Sequence, residues 1–389
     1  MSGAERTPHA LRAPRIIDAA PRRPDYDGAC VTNIVPALLG PGGADALPDF
    51  FPQVARGARQ VVLLVVDGLG WHQLQDRIVN VPASTTTLAS MQGSSITTIA
   101  PTTTVTALTS ISTGAAPGEH GLVGYRIDFA GQVVQMLRWA DDRGDVRRRL
   151  MPRDVQPCPP FLGASIPVLS KAEFDGTAFT ESHLRDQRMF SWRAASSMVV
   201  DVRNLLARGE RFVYCYYDGV DKIAHERGFG EFYDAELTAA DRIVGDLAAV
   251  LPPEAVLLVT ADHGQVMVGR NTMLLHDDVT RHLSHQSGEG RFRWLHVLPG
   301  RVDEVVTAAR AHHGADAWVL TRDEMIGGGF FGARVNDVVR RRFGDVAVLA
   351  KNDVSFDDPM DKTYFDLQCR HGSLTTAEID VPLLALRNA

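Results

Sequence analysis

Several residues able to bind a cation stand just after apolar runs. Val61 to Val66 stops at Asp67, Arg211 to Tyr217 is followed by Asp218-Gly219-Val220-Asp221, and Ala255 to Thr260 is followed by Ala261-Asp262-His263-Gly264. Imidazoles come with two of these ends, as His225 four residues after Asp221 and His263 beside Asp262. Four residues make about one helical turn, so Asp221 and His225 can reach one ion if that segment coils. His371, followed by Gly372, adds a further imidazole late in the chain. Carboxylate and imidazole without thiolate favour zinc or manganese over soft-metal sites. Six such groups are enough for two cations with open positions. That arrangement clamps the attacking and leaving oxygens of phosphoryl transfer.

A hydroxyl-rich stretch supplies the complementary chemistry. Pro101-Thr102-Thr103-Thr104 leads into Val105, Leu108 and Ile111, which share one helical face, and Gly114 is a natural stop. One of the threonines therefore stands at a helix N-terminus, where free backbone N–H groups and the positive dipole end gather around phosphate. Taken alone, such a threonine reads as an ordinary cap. Its coincidence with the strand-end ligands is what carries the reading.

The elements that must hold these groups are legible by pattern. Val61 to Val66 is apolar without alternation, as in a strand buried on both faces of a mostly parallel sheet, and its aspartate falls where open α/β sheets bind ligands. Further strands are expected at 94–99, 211–217 and 255–260. Helices are expected at 33–39, 72–78, 191–207 and 236–251, the last with Leu237, Ala240, Val244, Leu247 and Leu251 on one face. Strand and helix alternate as in a parallel α/β sheet. Residues 1–58 read as an arm and lead-in, loosely ordered over 1–26. Residues 59–264 with 367–389 read as the catalytic domain, and 265–366 as an inserted cap region with its own strands near Trp318 and Val346.

With 389 residues, 45% of them apolar and 22% charged, the chain is an ordinary globular protein with room for a large core. The net charge of −7 argues against a nucleic-acid polymer as partner. No apolar run is long enough to span a membrane and no secretory leader is visible, so a cytoplasmic location is the expectation. Cys30, Cys158, Cys215 and Cys369 are scattered, and Cys215 reads as a reduced core residue.

Together these segments resemble the alkaline phosphatase superfamily, and within it the nucleotide pyrophosphatase/phosphodiesterase branch. The likeness rests on Val65-Val66-Asp67-Gly68, Pro101 to Thr104 with Ser112-Thr113-Gly114 and Pro117 to Gly121, Asp221-x-x-x-His225 with Gly228, Thr260 to Gly264, and His371-Gly372. The resemblance implies an alkaline-phosphatase-like, mostly parallel central sheet sandwiched by helices. It implies one zinc on Asp221, His225 and His371, and a second on Asp67, Asp262 and His263 together with Thr104. Thr104 would be the nucleophile, attacking the phosphorus of a small phosphate ester through a phospho-threonine intermediate. The branch usually carries an asparagine three residues after its nucleophile, but Ala107 stands here. Arg126, Arg193, Arg293, Lys351 and Lys362 are the basic residues weighed as substitutes for that phosphate grip. The alternatives are a phosphomonoesterase, a phosphonoacetate hydrolase-like phosphonate hydrolase, and a non-catalytic nucleotide- or partner-binding module.

Other residues read structurally. His120 is expected as a hydrogen-bonded core histidine, His276, His282 and His285 as solvated loop histidines, and Asp218 as a loop cap or an aid to Asp221. Trp294 and Phe330-Phe331 are expected in the core, and Arg147 to Arg149 at a solvated surface.

Overall fold

The computed structural model describes residues 18–361 and 366–388. Its centre is a seven-stranded sheet. The strands are β1 (Gln60–Val66), β2 (Gln92–Thr97), β3 (Pro167–Lys171), β4 (Arg188–Trp192), β5 (Phe212–Tyr217), β6 (Ala255–Thr260) and β7 (Asp380–Arg387), in the spatial order β2-β7-β6-β1-β5-β3-β4. Parallel pairs run from β6 through β1, β5 and β3 to β4, and β7 runs against both its neighbours. Every residue of β1 and β6 is buried, which is why neither sequence alternates. The flanking helices are α1 (Ile34–Leu39), α2 (Trp71–Asn80), α3 (Thr104–Thr113), α4 (Ala195–Ala207), α5 (Gly219–Arg227) and α6 (Glu231–Ala249).

Some boundaries differ from expectation. The strand expected at 94–99 is β2, displaced toward 92 because its pairing with β7 runs from Gln92–Ala385 to Thr97–Asp380. Ser191 and Trp192 end β4 rather than open a helix, and α4 starts at Ala195. Helix α6 begins at Glu231, with Glu231 and Asp234 meeting the positive dipole of its first turn. The loose arm expected over 1–26 is corrected for its second part, its first seventeen residues lying outside the described ones. Asp18 accepts the Thr376 N–H at 2.7 Å, Arg22 pairs with Asp380 at 2.9 Å, and the Tyr26 hydroxyl donates to the Phe330 carbonyl at 2.8 Å.

Within 265–366 lies a second, antiparallel sheet: β8 (Leu283–Glu289), β9 (Phe292–Val297), β10 (Ala317–Thr321) and β11 (Val346–Ala350), ordered β8-β9-β11-β10. Successive residues of a strand face opposite ways. Phe292, Trp294, Ala347 and Leu349 join the main core with Phe331 and Phe343. Leu295, Val346 and Val348 form a separate apolar cluster with Val305 and Ala309 of α7 (Val302–His313). Trp294 and Phe331 are thus core residues as expected. Among the described residues no helix is long and apolar enough to cross a membrane.

Candidate active site

The adjacent central strands β5, β1 and β6 deliver their carboxyl ends to one cleft. The chain leaves β1 at Asp67 and turns on Gly68, whose φ of +72° is left-handed. A Cβ at Gly68 would lie 2.9 Å from the Asp221 Cβ, so glycine also lets α5 approach. The Asp221 N–H donates to the Asp67 carbonyl at 3.1 Å, and the Gly68 N–H donates to Asp262 Oδ1 at 3.0 Å. Three segments distant in sequence are thereby tied together, Asp262 through its side-chain carboxylate.

The expected ligands assemble as two groups, Asp67 with Asp262 and His263, and Asp221 with His225 and His371. In the first, His263 Nε2 lies 3.5 Å from Asp67 Oδ1 and 3.4 Å from Asp262 Oδ2. In the second, it is His225 Nε2 that lies 3.3 Å from Asp221 Oδ1 and 3.2 Å from His371 Nε2. The groups abut, since the His263 and His371 rings stack at 3.6 Å. The Thr104 hydroxyl lies 3.2 Å from His263 Nε2. Thr104 is the first residue of α3, with Thr103 at the cap, and α3 stops at left-handed Gly114 as its sequence predicts.

These residues fit divalent cations. Each imidazole donates its Nδ1–H to a carbonyl oxygen, which can only accept: His225 to Cys369 at 2.7 Å, His371 to Thr102 at 2.8 Å, His263 to Gly264 at 3.1 Å. All three Nε2 lone pairs therefore face the cleft, and those of His225 and His371 point at each other. Opposed lone pairs are unfavourable unless a cation stands between them. Asp67 Oδ1 and Asp262 Oδ2 are buried with no hydrogen-bond partner. Burial and the nearby Asp262 and Asp221 carboxylates push the Asp67 carboxyl well above its usual range, against the hydroxyl that Tyr216 donates to it. Burial also raises the Asp262 carboxyl, opposed by His263. Bound cations would relieve both.

A cavity of about 540 Å³ opens over the cleft. Asp67, Thr104, Asp221 and His225 line its floor, and Leu137, Phe174, Phe179, Leu184, Tyr214 and Tyr216 give an apolar wall. Sequence reading missed this wall. Apart from Leu137 it comes from 170–184 and β5, and among the described residues of 265–366 Asp366 alone reaches the lining. Lys222 is the one lysine or arginine in the lining among the described residues, and it too was missed. Of the basic residues first weighed, the four that are described are engaged elsewhere or lie off the cavity. Arg126 pairs with Asp358 at 3.2 Å, Arg293 donates to the Phe356 carbonyl, and Lys351 donates to Gly314. Arg193 is exposed outside the lining, and Lys362 lies outside the described residues. Asp218 makes no cap bond and instead pairs with Lys171 at 3.1 Å. His120 is buried as expected, bonded to Ser110 at 2.9 Å.

The family described as "Type I phosphodiesterase / nucleotide pyrophosphatase" matches residues 61–374. No curated protein matches the chain. Among solved structures, murine ectonucleotide pyrophosphatase / phosphodiesterase 5 is 15% identical, with a TM-score of 0.60 over 85% of this chain and 88% of its own. An inactive form of that protein, carrying a threonine-to-alanine substitution, was solved in complex with AMP. Phosphonoacetate hydrolase from Sinorhizobium meliloti 1021, in complex with phosphonoacetate, is 16% identical, with a TM-score of 0.63 over 85% and 91%. At these identities the likeness establishes the alkaline-phosphatase-like fold.

Proposed function

The chain belongs to the type I phosphodiesterase / nucleotide pyrophosphatase family of phosphoryl-transfer hydrolases, and on that premise we propose that it cleaves phosphodiesters through Thr104. The observation that carries this reading is the Thr104 hydroxyl itself, 3.2 Å from His263 Nε2 and beside two abutting ligand groups. Asp67, Asp262 and His263 would hold one cation of the zinc class, and Asp221, His225 and His371 another. When bound, such cations polarise phosphoryl oxygens and make a hydroxyl nucleophilic near neutral pH.

The rest of the work falls to the chain. The Thr104 oxygen forms a bond to phosphorus as the bond to the departing ester oxygen breaks, giving a phospho-threonine that still carries the second ester group, while the hydroxyl proton ends on the departing alcohol. Water then cleaves phospho-threonine, restoring the hydroxyl and releasing the phosphate monoester. The free N–H groups of the first turn of α3 stabilise charge on the equatorial oxygens. Ala107 is buried in α3, its N–H spent on the Thr103 carbonyl, so it adds nothing to the phosphate grip. Lys222, next to Asp221, offers the cavity's positive charge. Among the described residues, 265–366 reaches the pocket through Asp366, and it carries the chain to His371.

A cavity of about 540 Å³ with an aromatic wall exceeds what a two-carbon phosphonate fills. That favours esters bearing a bulky apolar or aromatic group over phosphonoacetate and simple monoesters. The test is turnover by the zinc-loaded protein of bis-p-nitrophenyl phosphate, p-nitrophenyl phosphate, a dinucleotide and phosphonoacetate. Diester cleavage should lead and should vanish with EDTA. Preferred hydrolysis of the monoester or the phosphonate overturns the diester assignment.

A further inference from the structure

Two histidines away from the cleft are already engaged. His285, expected in a solvated loop, is a β8 residue lying 2.9 Å from Asp128, and His296 Nε2 meets the Ser287 hydroxyl at 2.8 Å. Gln265, behind the candidate ligands, is different. It comes two residues after His263 and is 1% exposed. Its Nε2 donates to Asp221 Oδ1 at 2.8 Å. An ionised carboxylate can only accept, so the nitrogen is the end of the amide that faces Asp221. Gln265 Oε1 is buried with no hydrogen-bond partner among the described residues. Burying an amide whose oxygen stays unpaired is unfavourable. A methionine of the same length would fill the space without that cost, so packing alone does not account for a glutamine here.

The surroundings hold this side chain in its pose. Gln73 of α2 donates through Nε2 to the Gln265 carbonyl at 2.6 Å and to the Ala377 carbonyl at 3.2 Å. Gly68 leaves the room, since a Cβ there would stand 2.4 Å from Gln265 Nε2. The loop after β6 thus serves both groups. Asp262 and His263 belong to one, and Gln265 reaches Asp221 in the other. Asp221 Oδ1 is also the atom that lies 3.3 Å from His225 Nε2. With one lone pair of Oδ1 given to Gln265, the other is left for the side of His225. The donor is neutral as well. A lysine or arginine in its place would offset the Asp221 charge and weaken its pull on a cation. An amide orients the carboxylate and leaves its charge whole.

We propose, resting on the two-cation reading, that Gln265 is a positioning residue: by fixing Asp221 it sets how tightly the cation of Asp221, His225 and His371 is held. Partners that orient a ligand in this way change metal affinity by about 10–100-fold.

The full chain is loaded with zinc and titrated with a chromogenic zinc chelator, which reads how many ions leave and at what chelator concentration. Two variants are compared with it. Gln265→Met keeps the length and loses the donor. Gln265→Asn keeps the amide but is one methylene too short to reach Asp221. In each, one zinc should leave at about 10–100-fold lower chelator concentration and the other as in the unaltered protein. In a His225→Gln background, where the second group is already broken, Gln265→Met should change nothing further. A role in packing alone would shift both ions or neither, and either variant suffices if the other fails to fold. Release of both ions as in the unaltered protein overturns the proposal and leaves the two-cation reading standing. An unaltered protein that retains no zinc overturns that reading, and the role of Gln265 with it.

Discussion

The Arg291 guanidinium meets the Glu378 carboxylate through two parallel bonds, Nε to Oε1 at 2.7 Å and Nη2 to Oε2 at 2.8 Å, with neither side chain exposed. Arg291 stands between β8 and β9, while Glu378 precedes β7. The Glu378 carboxylate also accepts the Ser373 N–H at 3.0 Å, two residues beyond His371. The pair therefore links the second sheet to the loop that carries His371. Arg291→Met should cost about 3–5 kcal/mol by leaving a buried carboxylate unpaired. The double variant Arg291→Met, Glu378→Gln should regain part of that. Urea midpoints measure both. A single variant as stable as the parent would show that the carboxylate is not isolated by burial.

Thr104→Ala should lower turnover of bis-p-nitrophenyl phosphate by about a thousandfold or more while zinc content stays unchanged. Thr104→Ser should retain measurable activity, since it keeps the hydroxyl. Full activity in the alanine variant would move the nucleophile to another hydroxyl, with Thr103 next in line.

Tyr216→Phe removes the hydroxyl that donates to Asp67. Partners that orient a ligand from behind typically affect metal affinity or activity by about 10–100-fold. A competitive chelator titration should show weaker zinc retention, with the fold unchanged by circular dichroism. Unaltered retention would reduce Tyr216 to a wall of the cavity.

His120 sets a pH dependence away from the reaction centre. Burial, then Arg342, lowers its pKa from 6.5 to about 3. The unfolded chain thus binds a proton below about 6.5 that the folded chain refuses. The stability this histidine contributes is complete above pH 6.5 and declines as pH falls toward 3. His120→Asn should be less stable at pH 7 yet lose less between pH 7 and pH 4 than the parent. Parallel losses in urea titrations at both pH values would rule this linkage out.

The candidate ligands Asp67, Asp221, Asp262 and His263 were legible because they stand at or just beyond apolar runs, and a run ending on aspartate fixes both a strand and the side of the sheet where its end opens. Helix α3 was legible from Val105, Leu108, Ile111 and Gly114. The cavity wall was not, because Phe174, Phe179 and Leu184 arrive by the route of the chain between strands, which no periodicity encodes. One signal was present. Tyr214 and Tyr216 alternate along β5 and so share a face, the face turned to Asp67. The hold of Asp18 and Arg22 on 374–380 was hidden for a similar reason, since a single charge among prolines gives no pattern to read.

His371 comes after the whole 265–366 stretch, and β7 after that. During synthesis the ribosome therefore releases Thr104 and the Asp67, Asp262 and His263 group well before the final imidazole. On the proposed division, a nascent polypeptide could carry at most half of its catalytic cations. A nascent chain that has not yet emerged past His371 would, on that division, lack the second group of side chains and the chemistry that needs both.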